Sequence, residues 1–330
     1  MTKTTNDPAI SIRDLRIDYG TKVAVDGLTL DVAPGEIFGM LGPNGAGKSS
    51  TFRVLATLQE PTYGDVEICG VDIAENPEKV RHQMGYMPDL APVPSDLKLW
   101  EFLDMFAASH GLPRMIRKTR IEECLHAVNL TEARNVRCKT LSRGMTQRAV
   151  LAKILLHRPK VMILDEPASG MDPFSRKALR ESLQELATHG TTVVISSHIL
   201  SELSDMCTSV AILHQGKLQD HGPVNEVLWR LSGRQTRLRA KIKEGWQKAA
   251  NLLQEDKDVI DLKENQIAEE VVFQFAGDEN AQVALLSKLV SNGCGIATFV
   301  AETATLEEVL VNLAASSGDA TLRNINDSKT

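Results

Sequence analysis

Cysteine is sparse and unpaired in this sequence. Cys69, Cys124, Cys138, Cys207 and Cys294 are the only five, and none stands in a Cys-x-x-Cys pair. An odd, scattered set excludes a disulfide framework and a zinc site, so the thiols read as reduced core or surface groups. A basic surplus is missing too: 37 Lys+Arg face 43 Asp+Glu, for a net charge of −6. Duplex nucleic-acid binders usually carry a basic face, so no nucleic-acid partner is expected. Long apolar runs are also absent. Ala149–Leu156 is interrupted by a lysine and Val161–Leu164 is short, whereas a span needs ~20 residues. The opening stretch, MTKTTNDPAISIRDL, lacks the apolar core of a secretory signal, which leads us to expect a cytosolic chain. No internal repeat or low-complexity tract is present.

What is present is ordinary globular composition: 42% hydrophobic and 24% charged over 330 residues. At about 150 residues per domain this length predicts about two domains, each able to bury a core. Approximate alternation of Ile10, Ile12, Leu15 and Ile17, then of Val23, Val25, Leu28, Leu30 and Val32, predicts short strands. GEIFGML (35–41) is near-continuously apolar and suits a strand buried on both faces. A helix is predicted over Lys48–Leu58, strands over VMILD (161–165) and TTVVIS (191–196), and a helix between them over Ser175–Ala187. Strands alternating with helices imply a parallel sheet covered by helices.

Three helical segments, LKLWEFLDMFAASHG, RKTRIEECLHAVNL and GMTQRAVLAKILLH, predict a helical insertion over about residues 90–156. Its stripe of Leu99, Phe102, Leu103 and Phe106 has helical spacing and reads most simply as core. The α/β pattern ends near Gly233. Beyond it, strand-like TRLRAKI, EEVVFQF and GIATFVA alternate with helix-like AQVALLSKLV and LEEVLVNLAA, which predicts a small α+β domain over 231–330 with a frayed tail from Gly318.

GPNGAGKSS (42–50) fits the phosphate-binding pattern G-x-x-x-x-G-K-[ST]. Gly42, Pro43, Asn44, Gly45, Ala46 and Gly47 form the loop, whose glycines let backbone N–H groups wrap phosphate oxygens. Lys48 would neutralise the terminal phosphates, the Ser49 hydroxyl would ligate Mg²⁺, and Ser50 completes the pattern at the positive end of a helix. VMILDEP (161–167) ends an apolar strand in two acids, which is costly unless something cationic waits there. Asp165 can enter a Mg²⁺ shell and Glu166 can accept a proton from an attacking water. In LSRGMTQR (141–148), Ser142 and Gly144 precede a helix; this is either a second phosphate site or ordinary capping by Ser142, and capping is the simpler reading. His198 follows an apolar strand, at the end where the functional groups of open α/β sheets gather.

The order of these motifs resembles the ATP-binding cassette (ABC) ATPases over roughly residues 9–225. Tyr19, GPNGAGKSS, YMPD (86–89), LSRGM, VMILDEP, SGMDP and His198 match the family's aromatic loop, Walker A, Q-loop, signature, Walker B, D-loop and switch histidine. The resemblance implies a P-loop ABC ATPase core over 1–230, with an antiparallel β subdomain and the helical insertion. It implies ATP and Mg²⁺ as ligands, with Tyr19 stacking on adenine, His198 contacting the γ-phosphate, and Asp89 reaching Mg²⁺ or water. It also implies that Ser142 and Gly144 bind the ATP of an opposite subunit, in a homodimer or a heterodimer with a related cassette. One phosphate loop and one signature per chain fit that two-fold arrangement.

Three positions depart from the family pattern: Asp89 replaces the Q-loop glutamine, LSRGM replaces LSGGQ at Arg143 and Met145, and Met171 replaces the D-loop leucine. The LSRGM signature and the acidic Q-loop, and more weakly the 231–330 unit, resemble a subset of bacterial exporter cassettes whose membrane permease is a separate protein. The implied function is ATP hydrolysis driving export, from the inner face of the cell membrane, with segment 90–115 and its Trp100 and Phe102 as the docking surface. The alternatives are a soluble ABC-type switch on a ribosomal or DNA partner, or a regulatory module with little turnover. The first generally carries two cassettes or a long coiled coil, and Glu166 argues against the second.

Overall fold

The alternating apolar residues near the N-terminus form β1 (Ile10–Tyr19) and β2 (Lys22–Val32), an antiparallel pair with Ile10 opposite Val32 and Ile12 opposite Leu30. The apolar run that follows is β3 (Ile37–Leu41), buried at every position. After it come α1 (Lys48–Leu55), β4 (Tyr63–Ile68), β5 (Val71–Asp72), α2 (Pro77–Gln83) and β6 (Met84–Met87). The helical insertion consists of α3 (Leu99–Ser109), α4 (Arg114–Ala127) and α5 (Arg143–Leu155). The chain then continues as β7 (Val161–Leu164), α6 (Pro173–Thr188), β8 (Thr192–Ser197), α7 (Leu200–Ser204), β9 (Ser209–His214), β10 (Lys217–Pro223) and α8 (Val224–Leu231). The computed structural model describes residues 7–231 and 235–302. The chain divides into two compact units, Met1–Val224 and Asn225–Thr330.

The first unit holds two sheets. One is antiparallel, in the order β2-β1-β4-β5; the other runs β10-β9-β3-β8-β7-β6 and is parallel except for β10. β3, β7 and β8 are central and wholly buried, as their unbroken apolar runs require. Ile37 lies opposite Val193, and Leu164 opposite Ile195. In-register parallel strands bring their C-terminal ends to one edge of the sheet, where functional groups of such sheets collect.

Local chemistry sets the helix limits. α1 stops at Leu55, short of the expected Leu58, because Thr57 adopts a left-handed backbone with φ 55°. α6 begins earlier than expected, at Pro173, because the Asp172 carboxylate accepts hydrogen bonds from the N–H groups of Phe174 and Ser175, both at 3.0 Å. In α3, Leu99, Phe102 and Leu103 are buried and Phe106 is half-buried with its ring edge-on to Phe102. The core reading of that stripe is therefore the observed one. Phe102 is in the interior and cannot serve as an exposed docking residue.

In the second unit, β11 (Thr236–Glu244), α9 (Trp246–Gln254), β12 (Val259–Asn265), β13 (Glu270–Phe275), α10 (Glu279–Ser291) and β14 (Gly295–Glu302) follow one another. The strands form one antiparallel sheet, β12-β13-β11-β14. Leu238, Ala240, Ile242, Phe273 and Phe275 on its inner face pack with Leu253 of α9 and Leu285 and Leu289 of α10. The predicted LEEVLVNLAA helix and the tail from Gly318 lie outside the described residues. Among the described residues, no helix is long and apolar enough to cross a membrane.

Candidate functional site

The loop between β3 and α1 is held against neighbouring backbone at two glycines. A Cβ at Gly42 would lie 2.3 Å from the Leu213 carbonyl oxygen. One at Gly47, whose φ is +107°, would lie 2.6 Å from the Ala24 carbonyl oxygen. Neither position accepts a side chain without moving backbone. The loop folds back over Lys48, whose ammonium donates to the carbonyls of Gly42 (2.6 Å) and Pro43 (3.3 Å). Asn44, Gly45 and Ser49 are exposed on the outer side of the same loop.

β7 and β8 place the acids beside it. Asp165 is buried, and its Oδ1 accepts a hydrogen bond from the Ser196 hydroxyl at 2.6 Å. The Ser196 oxygen in turn accepts from the Glu166 N–H at 2.9 Å. Glu166 is held with φ 48°, a strained value for a residue with a Cβ. Its Oε1 lies 3.7 Å from Lys48 Nζ and its Oε2 lies 3.0 Å from His198 Nδ1. Burial raises the Glu166 carboxyl above the ordinary range, while the Lys48 and His198 charges oppose that rise. Burial lowers the Lys48 ammonium, opposed by Glu166 and Asp165.

These groups line one cavity of about 380 Å³. The structure brings together there Tyr19, Asn44, Gly45, Ala46, Gly47, Lys48, Ser49, Ser50, Asp89, Glu166 and His198, along with Lys22, Ala24 and Ser169. Gly42, Pro43 and Asp165 do not line it; the first two accept the Lys48 hydrogen bonds and Asp165 accepts from Ser196. Tyr19 is exposed at the mouth, and its hydroxyl donates to Gln59 Oε1 at 2.6 Å. Asp89 is exposed, with its carbonyl accepting a 3.3 Å hydrogen bond from Gln147 Nε2. Backbone N–H groups, one buried ammonium and a carboxylate with a raised pKa can cradle a polyanion and take a proton from a nucleophile beside it.

Ser142 and Gly144 do not line this cavity. Ser142 caps α5, accepting from the Met145 N–H at 3.3 Å, so the capping reading describes this chain's own contact. Gly144 is buried because α5 packs tightly on α6: a Cβ there would come within 2.4 Å of Ser175 Oγ. Arg143 lies against Gly170, and its Nη2 is 3.4 Å from Ser169 Oγ.

The sequence reading missed Lys22, Ala24 and Ser169 in the lining, and Ser196 and Gln147, which hydrogen-bond to Asp165, Glu166 and Asp89. Ser196 carried a faint signal, since a hydroxyl ending an apolar strand needs a partner, but the partner is 31 residues away. Ser196→Ala removes a donor from buried Asp165 and leaves the Glu166 N–H unpaired. We expect it to cost about 1–3 kcal/mol of stability, read as a lower denaturation midpoint of the nucleotide-free chain. An unchanged midpoint would show the hydroxyl to be dispensable.

Comparisons with known proteins agree with one another. The ABC transporter family model matches residues 25–169. The Nod factor export ATP-binding protein I of Ralstonia nicotianae is 32% identical over 221 residues, covering 67% of this chain and 69% of its own length. The bacitracin transport ATP-binding protein BcrA of Bacillus licheniformis is 33% identical over 306 residues, covering 92% of this chain and 96% of its own, so that similarity extends into the second unit. Among solved structures, an ATP-binding subunit of an ABC transporter superposes with a TM-score of 0.61 at 31% identity, over 68% of this chain and 93% of that one.

Proposed function

The chain belongs to the ABC transporter ATP-binding proteins, and from that premise we propose that it powers an exporter. It is an ATP-hydrolysing subunit whose nucleotide is ATP and whose metal is Mg²⁺. In our reading it works as a dimer, homomeric or with a related cassette, that drives a separate membrane permease from the inner face of the cell membrane. Export is the direction supported by the name of one relative, a Nod factor export protein, while the name of another, a bacitracin transport protein, supports transport.

The observation that carries the mechanism is the separation of two half-sites within one chain. The phosphate loop, the acids and His198 share a cavity, while the α5 start with Ser142 lies outside it. A two-fold partner would supply Ser142 and Gly144 over each nucleotide, making two composite sites. ATP then favours the closed dimer because only that state contacts it from both sides, and hydrolysis removes the preference.

Within one site, the loop 42–50 and Lys48 hold the β- and γ-phosphates, and Tyr19 stacks on the adenine. Ser49 and Asp165 would hold Mg²⁺, and Asp89, which lines the cavity with Ser49, would contribute to its shell. Among the described residues, no group of three or more His, Cys, Asp or Glu forms a metal cage. That suits a cation held by one or two protein oxygens plus phosphate and water. When bound, Mg²⁺ neutralises phosphate charge during phosphoryl transfer. Glu166 orients the attacking water and accepts its proton, and His198, bonded to Glu166, faces the γ-phosphate.

The permease docks on the segment after Asp89, where Leu90 is 81% exposed. Trp100 is half-buried, with the Arg134 guanidinium 5.5 Å from its ring centre, so the exposed residues between Asp89 and α3 are Leu90, Pro92, Pro94, Ser95, Asp96 and Lys98. Co-purification from detergent-solubilised membranes tests the reading: the parent chain should carry a multi-span partner. Leu90→Asp combined with Asp96→Lys should lose that partner and substrate-stimulated hydrolysis, while the unstimulated rate persists. Retention of the partner by this variant would exclude the surface, and absence of any membrane partner from the parent would overturn the transporter reading.

A further inference from the structure

A buried acid outside the phosphate cavity links the two segments that flank it. Glu202 is the middle residue of the short helix α7 and is 4% exposed. A carboxylate removed from water is retained only with partners, and Glu202 has one on each oxygen. Its Oε2 accepts a 2.8 Å hydrogen bond from Ser197 Oγ, and its Oε1 lies 3.4 Å from Arg176 Nη2. Ser197 is the last residue of β8 and is itself buried. Its hydroxyl oxygen also accepts from the Ile199 N–H at 3.0 Å, so it braces the backbone on both sides of His198. Its carbonyl accepts from the Gly42 N–H at 3.4 Å, at the start of the phosphate loop. On the other side, Arg176 Nη2 donates to the Met171 carbonyl at 3.4 Å, within the SGMDP segment that leads into α6.

We propose that Glu202 is a positioning residue for hydrolysis: through Ser197 it fixes the turn carrying His198, and through Arg176 it ties that turn to the Met171 segment. It does not line the phosphate cavity. It sets where His198 Nδ1 meets Glu166 Oε2, a contact of 3.0 Å. Misplacement by a fraction of an ångström there affects the reacting geometry far more than ground-state binding. The proposal rests on the reading of His198 as the γ-phosphate contact.

The test measures kcat, KM for ATP and ATP affinity in the full-length chain for Glu202→Gln, Glu202→Ala, Ser197→Ala and His198→Ala, and for the double variant Ser197→Ala/His198→Ala. Glutamine keeps an oxygen for Ser197 and loses only the ionic link to Arg176; alanine at 197 removes the brace and leaves Glu202 paired. We expect Ser197→Ala to lower kcat about tenfold or more with ATP affinity within about twofold, and Glu202→Gln to fall between it and the parent. Ser197→Ala should add nothing in the His198→Ala background, since it acts through that residue. Should Glu202→Ala fail to fold, the Ser197 and glutamine variants still decide the question. An inactive His198→Ala with a parent-like Ser197→Ala would overturn the positioning role alone. A fully active His198→Ala would overturn the reading of His198, and this proposal with it. Additive losses in the double variant would reduce Glu202 to a structural ion pair.

Discussion

Glu166→Gln is expected to lower steady-state ATP hydrolysis by roughly 10²–10⁴-fold while leaving ATP bound. The substitution is nearly isosteric and keeps the Glu166 N–H to Ser196 Oγ hydrogen bond, which comes from the backbone. What it removes is the ability to accept a proton. The carboxyl is suited to that task because burial raises it above the ordinary glutamate value, with Lys48 and His198 as the opposing charges. The sign of the pH dependence follows. The parent's acid limb of kcat/KM should lie above the ordinary glutamate pKa of about 4.3, since protonation removes the proposed base. For stability the same shift works the other way: a carboxyl raised by folding contributes stability below its unfolded pKa and loses it as pH rises through the folded value. At neutral pH the nucleotide-free Gln variant should therefore unfold at or above the parent's midpoint. With ATP and Mg²⁺ it should accumulate as a dimer on size-exclusion chromatography. Parent-level turnover would remove Glu166 as the base.

The parts of this molecule legible in its sequence are those whose signal is local. β3, β7 and β8 are buried on both faces, so their apolar runs announce them. The phosphate loop and the Asp165–Glu166 pair are contiguous motifs whose chemistry follows from residue type and spacing. β10, by contrast, reads KLQDHGP and alternates half-buried with exposed positions; only its pairing with β9 makes it a strand. β4 carries just two buried side chains, Val66 and Ile68, and depends on β1. The same limit applies to the site. Ser196 matters because parallel pairing sets β8 beside β7, and Glu202 because α7 folds back onto Ser197 and Arg176. Phe102 shows the converse: its place after the Q-loop suggested a surface role, and helical spacing, which placed it in the core, was the better guide.

Lys48→Ala should abolish the function one step earlier than Glu166→Gln, by weakening ATP binding about 10²-fold or more. The Lys48 ammonium is buried and rests on the Gly42 and Pro43 carbonyls, 3.7 Å from Glu166. Burial lowers its pKa, so the fold disfavours the cation it holds, and neutral carbonyls compensate only part of that cost. A phosphate is a stronger partner than either carbonyl, which is why binding energy should concentrate at this residue. Alanine also leaves the Glu166 carboxylate without its buried cation, raising its pKa further and reducing its availability as a base. The two variants are separated by the stabilisation that nucleotide confers. At ATP about 100-fold above the parent's Kd, binding contributes about 2.7 kcal/mol to stability, and a hundredfold weaker variant retains about 0.4. Lys48→Ala should thus lose nearly all of the ATP-induced rise in Tm, whereas Glu166→Gln keeps it in full. Lys48→Arg should rescue little, because a planar guanidinium fork does not fit between carbonyls placed for a compact ammonium. A Lys48→Ala chain that still gains the parent's full thermal shift would move the phosphate site away from loop 42–50.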